Sequence, residues 1–217
     1  MDLESVLKKL AEKRPVFHSE ADFQFALAWE IKSMYPEATL RLEYPFSYEL
    51  VSGNKKGYID ILVGYQECTY PIELKYKTVG AKITDGAGDF YRLANQAAQN
   101  LGCYDFLKDI ARLECMARDD NRVTGFTVWL TNDSTYWERP EQAREDAASA
   151  PFRVYNGLLK TGHMEWQGER KRTDRKAPIV LKGEYPISWH TYSDSQQKNG
   201  CFKYAINQVK FDSMVLV

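Results

Sequence analysis

Two apolar runs lie close together in the chain, YIDILVGY at 58–65 and TYPIELKYK at 69–77. Each reads as a buried β-strand, because apolar and β-branched residues dominate it and turn-forming chain precedes the pair. Both runs are interrupted by charge, Asp60 in the first and Glu73 and Lys75 in the second. Core strands rarely carry such groups unpaired, since a desolvated charge is costly. Glu73 and Lys75 are two residues apart, so the strand period puts them on one side and turns the Leu74 side chain the other way, into the core. A short connection makes the two strands neighbours and gathers Asp60, Glu73 and Lys75 at one place.

Around this pair the pattern alternates between helix and strand. Leu3, Val6, Leu7 and Leu10 predict a helix over 2–13, stopped near Pro15. Ser19 can cap a second helix, with Glu20 and Asp22 in its first turn and Phe23, Leu27, Ile31 and Met34 on one apolar face. Residues 39–50 read as a strand that turns irregular around Pro45, and SGNKKG at 52–57 reads as a turn, so three strands form a meander. Residues 78–88 hold three glycines and read as a mobile loop. A long helical region is expected from about Phe90 to Arg118, with Gly102 marking a break, followed by a strand over 123–132. Farther on, a surface helix is expected over 138–149 and strand fragments at 161–167, 179–181 and 201–210. These elements predict a single α/β domain over 1–217, a small mixed sheet flanked by helices. Its core spans about 17–132, and a C-terminal extension over about 133–217 packs on it.

Composition narrows the function classes. Aromatic residues make up 13% of 217, which gives the chain ample apolar surface to bury and argues against disorder. A formal net charge of -1 argues against nucleic-acid binding by the surface as a whole and leaves only local patches. One such patch is RKRTDRK at 170–176, either a phosphate contact or an ordinary charged turn; Lys77, Lys82 and Lys108 flank the acidic positions. Tyr185, Trp189 and Tyr192 are either core or platforms for bases. Four cysteines without CxxC spacing and only three histidines exclude a zinc-site pattern and suit free thiols in a reducing cytoplasm. The N-terminal stretch lacks the apolar core of a signal peptide, and no run of about 18 apolar residues exists, so no membrane partner is expected. The chain has neither a GK[ST] phosphate loop nor a GxSxG elbow.

The chemistry implied by Asp60 and Glu73 is metal binding. Carboxylate oxygens are hard ligands for Mg²⁺ or Mn²⁺, and an ion so held can polarise a phosphodiester and activate water. The Leu74 carbonyl can add a ligand, and Lys75 can orient the water or balance developing charge. The competing explanation is a solvated strand face with no chemistry.

With Glu20 or Glu30 on the early helix, Asp60 in IDI and Glu73-Leu74-Lys75 in IELK, residues 17–132 resemble the PD-(D/E)xK nuclease superfamily, the restriction-endonuclease-like fold. The usual Pro before the first Asp is replaced by Ile59. The resemblance implies a divalent-metal-dependent nuclease, most often acting on DNA. Asp60, Glu73 and Leu74 would hold the metal, with Glu20 (or, in reserve, Glu30) beside them. It also implies a supporting Gln on the helix after the ExK strand, for which Gln96 is the first candidate and Gln99 the second. The Tyr expected four residues past that Gln in the exonuclease branch is here Asn100. Double-strand cutting would suit a homodimer. The rival expectation is a non-catalytic nucleic-acid-binding or assembly protein that keeps the fold.

Overall fold

The computed structural model describes residues 1–50, 53–118, 120–168 and 175–210. Helix α1 (Leu3–Lys13) starts where the Asp2 side chain accepts a hydrogen bond from Ser5 N, and it buries Leu3, Val6, Leu7 and Leu10 as their spacing requires. Helix α2 (Glu20–Met34) starts at Ser19, whose hydroxyl accepts from Asp22 N. Phe23, Leu27 and Ile31 are buried, whereas Met34, the last residue of the helix, is 37% exposed.

Strands β1 (Thr39–Leu50), β2 (Gly53–Tyr65) and β3 (Cys68–Lys77) form the expected antiparallel meander. Strand β1 does not break at Pro45, which pairs with Tyr58. It lies on the sheet edge, where a missing N–H leaves no inner ladder bond unmade. The turn expected at 52–57 is strand from Gly53 onward, and residue 52 lies outside the described residues.

The segment expected to be a mobile loop contributes one strand of a small hairpin, β4 (Ala81–Thr84) with β5 (Phe90–Leu93), which buries Ala81, Ile83, Tyr91 and Leu93 against the core. Helix α3 (Gln99–Arg118) therefore begins nine residues later than its periodicity suggested. It is unbroken at Gly102, where a Cβ would stand 3.1 Å from the Tyr136 hydroxyl and 3.4 Å from the Trp129 ring, so the glycine allows close packing. From α3 the chain crosses to β6 (Gly125–Thr131), which runs parallel to β3. No helix forms over 138–149, where the described residues make turns ending in a single 3₁₀ turn, Ala150–Phe152.

The remaining strands are β7 (Leu159–Met164), β8 (Ile179–Pro186), β9 (Trp189–Asp194) and β10 (Cys201–Val209). β7 and β8 form a separate ribbon. β10 inserts beside β6 and carries β9 on its far side, giving a six-stranded mixed sheet of order β1-β2-β3-β6-β10-β9. The C-terminal part thus completes the central sheet rather than merely packing on it. One core lies between the sheet and α1 and α2, and a second lies between the sheet, α3 and the β7–β8 ribbon. No described helix is long and apolar enough to cross a membrane.

Glu114, buried on α3, clamps that ribbon. Its carboxylate accepts from Lys182 N, Gly183 N and the Tyr185 hydroxyl, each with a contact of 2.8 Å. Replacing Glu114 by Ala strands three donors, the buried Tyr185 hydroxyl among them, and is expected to lower unfolding free energy by about 3 kcal/mol. Tyr185→Phe removes one donor and costs about 1 kcal/mol, and urea unfolding of the two variants measures both values.

Candidate functional site

The site forms where β2 leaves β3. Their pairing runs from Tyr65↔Cys68 to Ile61↔Ile72 and ends there. Beyond it, β3 keeps β6 on one edge through Lys77, while the other edge is open. Ile59 and Ile61 should share a face, being two residues apart, yet Ile59 enters the α3-side core and Ile61 the α2-side core. The alternation breaks at Asp60, opposite Glu43, whose φ of 50° is left-handed. Such irregularities redirect a strand and re-aim its side chains.

The open edge of β3 presents the N–H groups of Leu74 and Tyr76. Asp60 Oδ2 accepts from Leu74 N at 2.6 Å, and Glu20 Oε2 accepts from Tyr76 N at 2.7 Å. Two carboxylates from different elements thereby stand side by side along one strand. One turn after Glu20 on α2, Gln24 Nε2 donates to the Asp60 carbonyl at 2.7 Å and to Glu43 Oε1 at 2.8 Å, pinning the irregular point of β2. Gln24 has no place in the motif reading, although its i,i+4 spacing from Glu20 is the signal that would have found it.

Glu73 and Lys75 point to the α3 side, and there the helix answers with charge of its own. Lys75 Nζ stands 2.7 Å from Asp109 Oδ2 and 3.2 Å from the Leu74 carbonyl. Arg112 Nη2 stands 2.9 Å from Glu73 Oε1, and its Nη1 donates to Asp109 Oδ1 at 3.0 Å. The approach to Glu73 is close but poorly aligned, so Glu73 Oε1 is buried without a directed hydrogen bond. Asp109 and Arg112 were not singled out from the sequence because a charged pair at i,i+3 reads as an ordinary solvated helix face.

The remaining sequence candidates fall elsewhere. Glu30 is buried and held by Lys13 Nζ at 2.7 Å from both oxygens, which commits it to the contact between α1 and α2. Gln96 precedes α3 instead of lying on it, and its Oε1 accepts from Thr78 N at the end of β3. Gln99 opens α3 and reaches Asp133 at 3.2 Å. Tyr185, Trp189 and Tyr192 are core residues, buried and so removed from any base. Of the basic run at 170–176, residues 170–174 lie outside the described residues, and Arg175 pairs with Asp105 at 2.7 Å. No disulfide links any of the four cysteines.

Four acidic side chains, Glu20, Asp60, Glu73 and Asp109, gather here with two basic ones, Lys75 and Arg112. Burial pushes Asp60 up from 3.8 to about 6, against the opposing effect of the Leu74 N–H. Burial, reinforced by Asp109, pushes Glu73 well above the usual carboxylate range. Burial alone would lower Lys75, but the Asp109 carboxylate outweighs it and holds the ammonium firmly charged. An added cation suits such a place. The donors are hard oxygens, Glu73 Oε1 lacks a directed partner, and Asp60 and Glu20 each have one oxygen committed to the backbone and one left over. Among the described residues no three Asp, Glu, His or Cys side chains converge as a ligand set. An ion held here would have to take one or two carboxylates and keep several waters, as Mg²⁺ can.

Asp60 also sets a pH dependence. Its folded pKa lies above the ordinary value, so the native state holds the proton more tightly than the unfolded chain does. Its contribution to stability is full below about pH 4 and is lost as the pH rises through about 6, a change of about 3 kcal/mol. Asp60→Asn keeps an acceptor for Leu74 N and removes the charge. In EDTA, the urea midpoint of this variant is expected to exceed that of the native chain at pH 7, and the two are expected to converge near pH 4.

No known protein-family model matches the chain, and no curated protein or solved structure matches it.

Proposed function

We propose that the chain is a divalent-metal-dependent nuclease with a restriction-endonuclease-like core, acting on DNA by preference. The observation that carries this proposal is the convergence of Asp60, Glu20, the Leu74 backbone and Lys75 at the point where β2 leaves β3, with Glu73 on the same strand. The elements that carry the resemblance follow one another along the chain as the acidic helix α2, the Asp strand β2, the ExK strand β3 and then α3.

Asp60 and Glu73 would hold Mg²⁺ or Mn²⁺, with the Leu74 carbonyl and Glu20 at its margin. When bound, the ion lowers the pKa of a coordinated water and polarises the phosphodiester. Lys75 carries a permanent charge, fixed by Asp109 and 19% exposed, so it can face a scissile phosphate and offset the negative charge that develops there. Gln24 keeps the Asp60 backbone in register, and Asp60 in turn fixes Leu74.

One observation favours a second reading, a non-catalytic nucleic-acid-binding or assembly protein. Glu73, Lys75, Asp109 and Arg112 already satisfy one another's charge in crossed pairs. A cleavage assay on supercoiled plasmid, linear duplex, single-stranded DNA and RNA with Mg²⁺ or Mn²⁺ separates the two. Metal-dependent cutting is expected, reduced about 100-fold or more by Asp60→Ala and by Lys75→Ala. Inactivity on all four substrates would favour the second reading. Cutting that survives both substitutions would place the chemistry elsewhere.

A further inference from the structure

Arg112 occupies an unusual position for a cation beside a proposed metal site. Its side chain is 12% exposed and is held by four different elements. It reaches Glu73 Oε1 on β3 at 2.9 Å, Asp109 Oδ1 on its own helix at 3.0 Å and the Tyr58 carbonyl of β2 at 2.6 Å, and its guanidinium lies over the Tyr48 ring of β1 at 5.1 Å. Gly57 allows this approach, since a Cβ there would stand 3.1 Å from Arg112 Nη2 and 3.3 Å from the Tyr48 ring. Among the described residues, Arg112 is the only cation within ion-pair distance of Glu73.

We infer that Arg112 is a built-in counter-ion of this site, holding Glu73 when no metal is bound, so that a divalent cation gains Glu73 only by displacing the guanidinium. The inference rests on the metal-binding reading above. Geometry makes the exchange feasible. The contact with Glu73 is the poorly aligned one of the set, whereas the bonds to Asp109 and Tyr58 and the seat on Tyr48 do not involve Glu73. Arg112 can therefore release Glu73 and stay anchored. A guanidinium suits this part because its fork makes several directed bonds at once and it remains charged in every relevant condition. Arg112 acts here as a positioning residue, setting where Glu73 points and how readily a cation takes it.

Titration calorimetry with Mn²⁺, without nucleic acid, tests the inference on the native chain and on Arg112→Gln. Removing the competing charge is expected to tighten Mn²⁺ binding about tenfold or more. A parallel Mg²⁺ titration follows the Arg112 Nε–Hε signal by NMR, assigned by its loss in Arg112→Lys. In the native chain this signal is expected to shift in step with Mg²⁺ occupancy, and this readout decides the matter if Arg112→Gln does not fold. Metal binding by the native chain with an unmoved signal, or with affinity equal or weaker in Arg112→Gln, overturns the inference and leaves the nuclease proposal standing. No metal binding by either chain overturns both.

Discussion

Two backbone N–H groups on the open edge of β3 govern the whole site. A buried N–H must find an acceptor, and a strand that loses its neighbour leaves its donors with none. When β2 turns away after Ile61, the N–H of Leu74 and then that of Tyr76 fall to carboxylates, Asp60 from the departing strand and Glu20 from the helix above it. The acids thus complete the sheet by the same contacts that aim them. One oxygen of each is fixed by the backbone, which restricts the carboxylate plane and presets where the second oxygen lies. Preorganisation of this kind comes from the strand itself rather than from a loop, and sites carried by regular elements hold their geometry more closely.

Such a cluster is costly to build. Carboxylates raised by burial, as Asp60 and Glu73 are, are strained toward the neutral form. Buried ion pairs seldom add net stability, because desolvation offsets most of the attraction. The stabilising free energy comes from the two apolar cores that sandwich the sheet, with Leu74 and Tyr76 packed on one face while Glu73 and Lys75 face the other. Leu74 serves both sides, since its side chain is core, its N–H holds Asp60 and its carbonyl meets Lys75. The alternation of a strand makes that division possible in consecutive residues.

Legibility in the sequence followed the strength of local periodicity. The helix over 3–13 was visible from its apolar spacing and that over 20–34 from a cap and spacing that agree, and the side shared by Glu73 and Lys75 follows from a period of two. The hairpin at 81–93 was missed for an identifiable reason. Its strands are only four residues long, glycines at 80, 86 and 88 flank the first, and Leu93 falls in phase with Ala97 and Leu101, extending an apparent helical stripe past its true start. Over 138–149 the composition suits a helix, but without an apolar stripe to bury, propensity alone does not form one. The acids and the lysine were legible as interruptions of apolar runs. Gln24, Asp109 and Arg112 were not, because each looks like a surface residue until tertiary packing covers it. Glu30 and Trp189 mislead in the opposite way, since polarity or aromaticity suggested chemistry where packing was the role.

The order of charge along two elements ties the site to the topology. Strand β3 reads acid then base, Glu73 then Lys75, and helix α3 also reads acid then base, Asp109 then Arg112. The observed pairs are crossed, with Glu73 meeting Arg112 and Lys75 meeting Asp109. Crossed pairing requires the two elements to run in opposite directions; run in the same direction, they would set acid against acid and base against base. The crossover from β3 through α3 to the parallel strand β6 supplies that antiparallel arrangement, since a chain returning to begin a parallel strand must travel back along the first. The spacings also match, because two residues of strand advance about 6.6 Å and helix neighbours at i,i+3 have Cβ atoms about 5–6 Å apart. A helix displaced by one turn would set against Glu73 and Lys75 either Leu113 and Met116 or, in the other direction, Asp105 and Lys108, which repeat the same order of charge. Charge order thus fixes the direction of α3, while the pairing of Asp105 with Arg175 and the grip of Glu114 on β8 select its register, which brings Lys75 to the open edge beside Asp60.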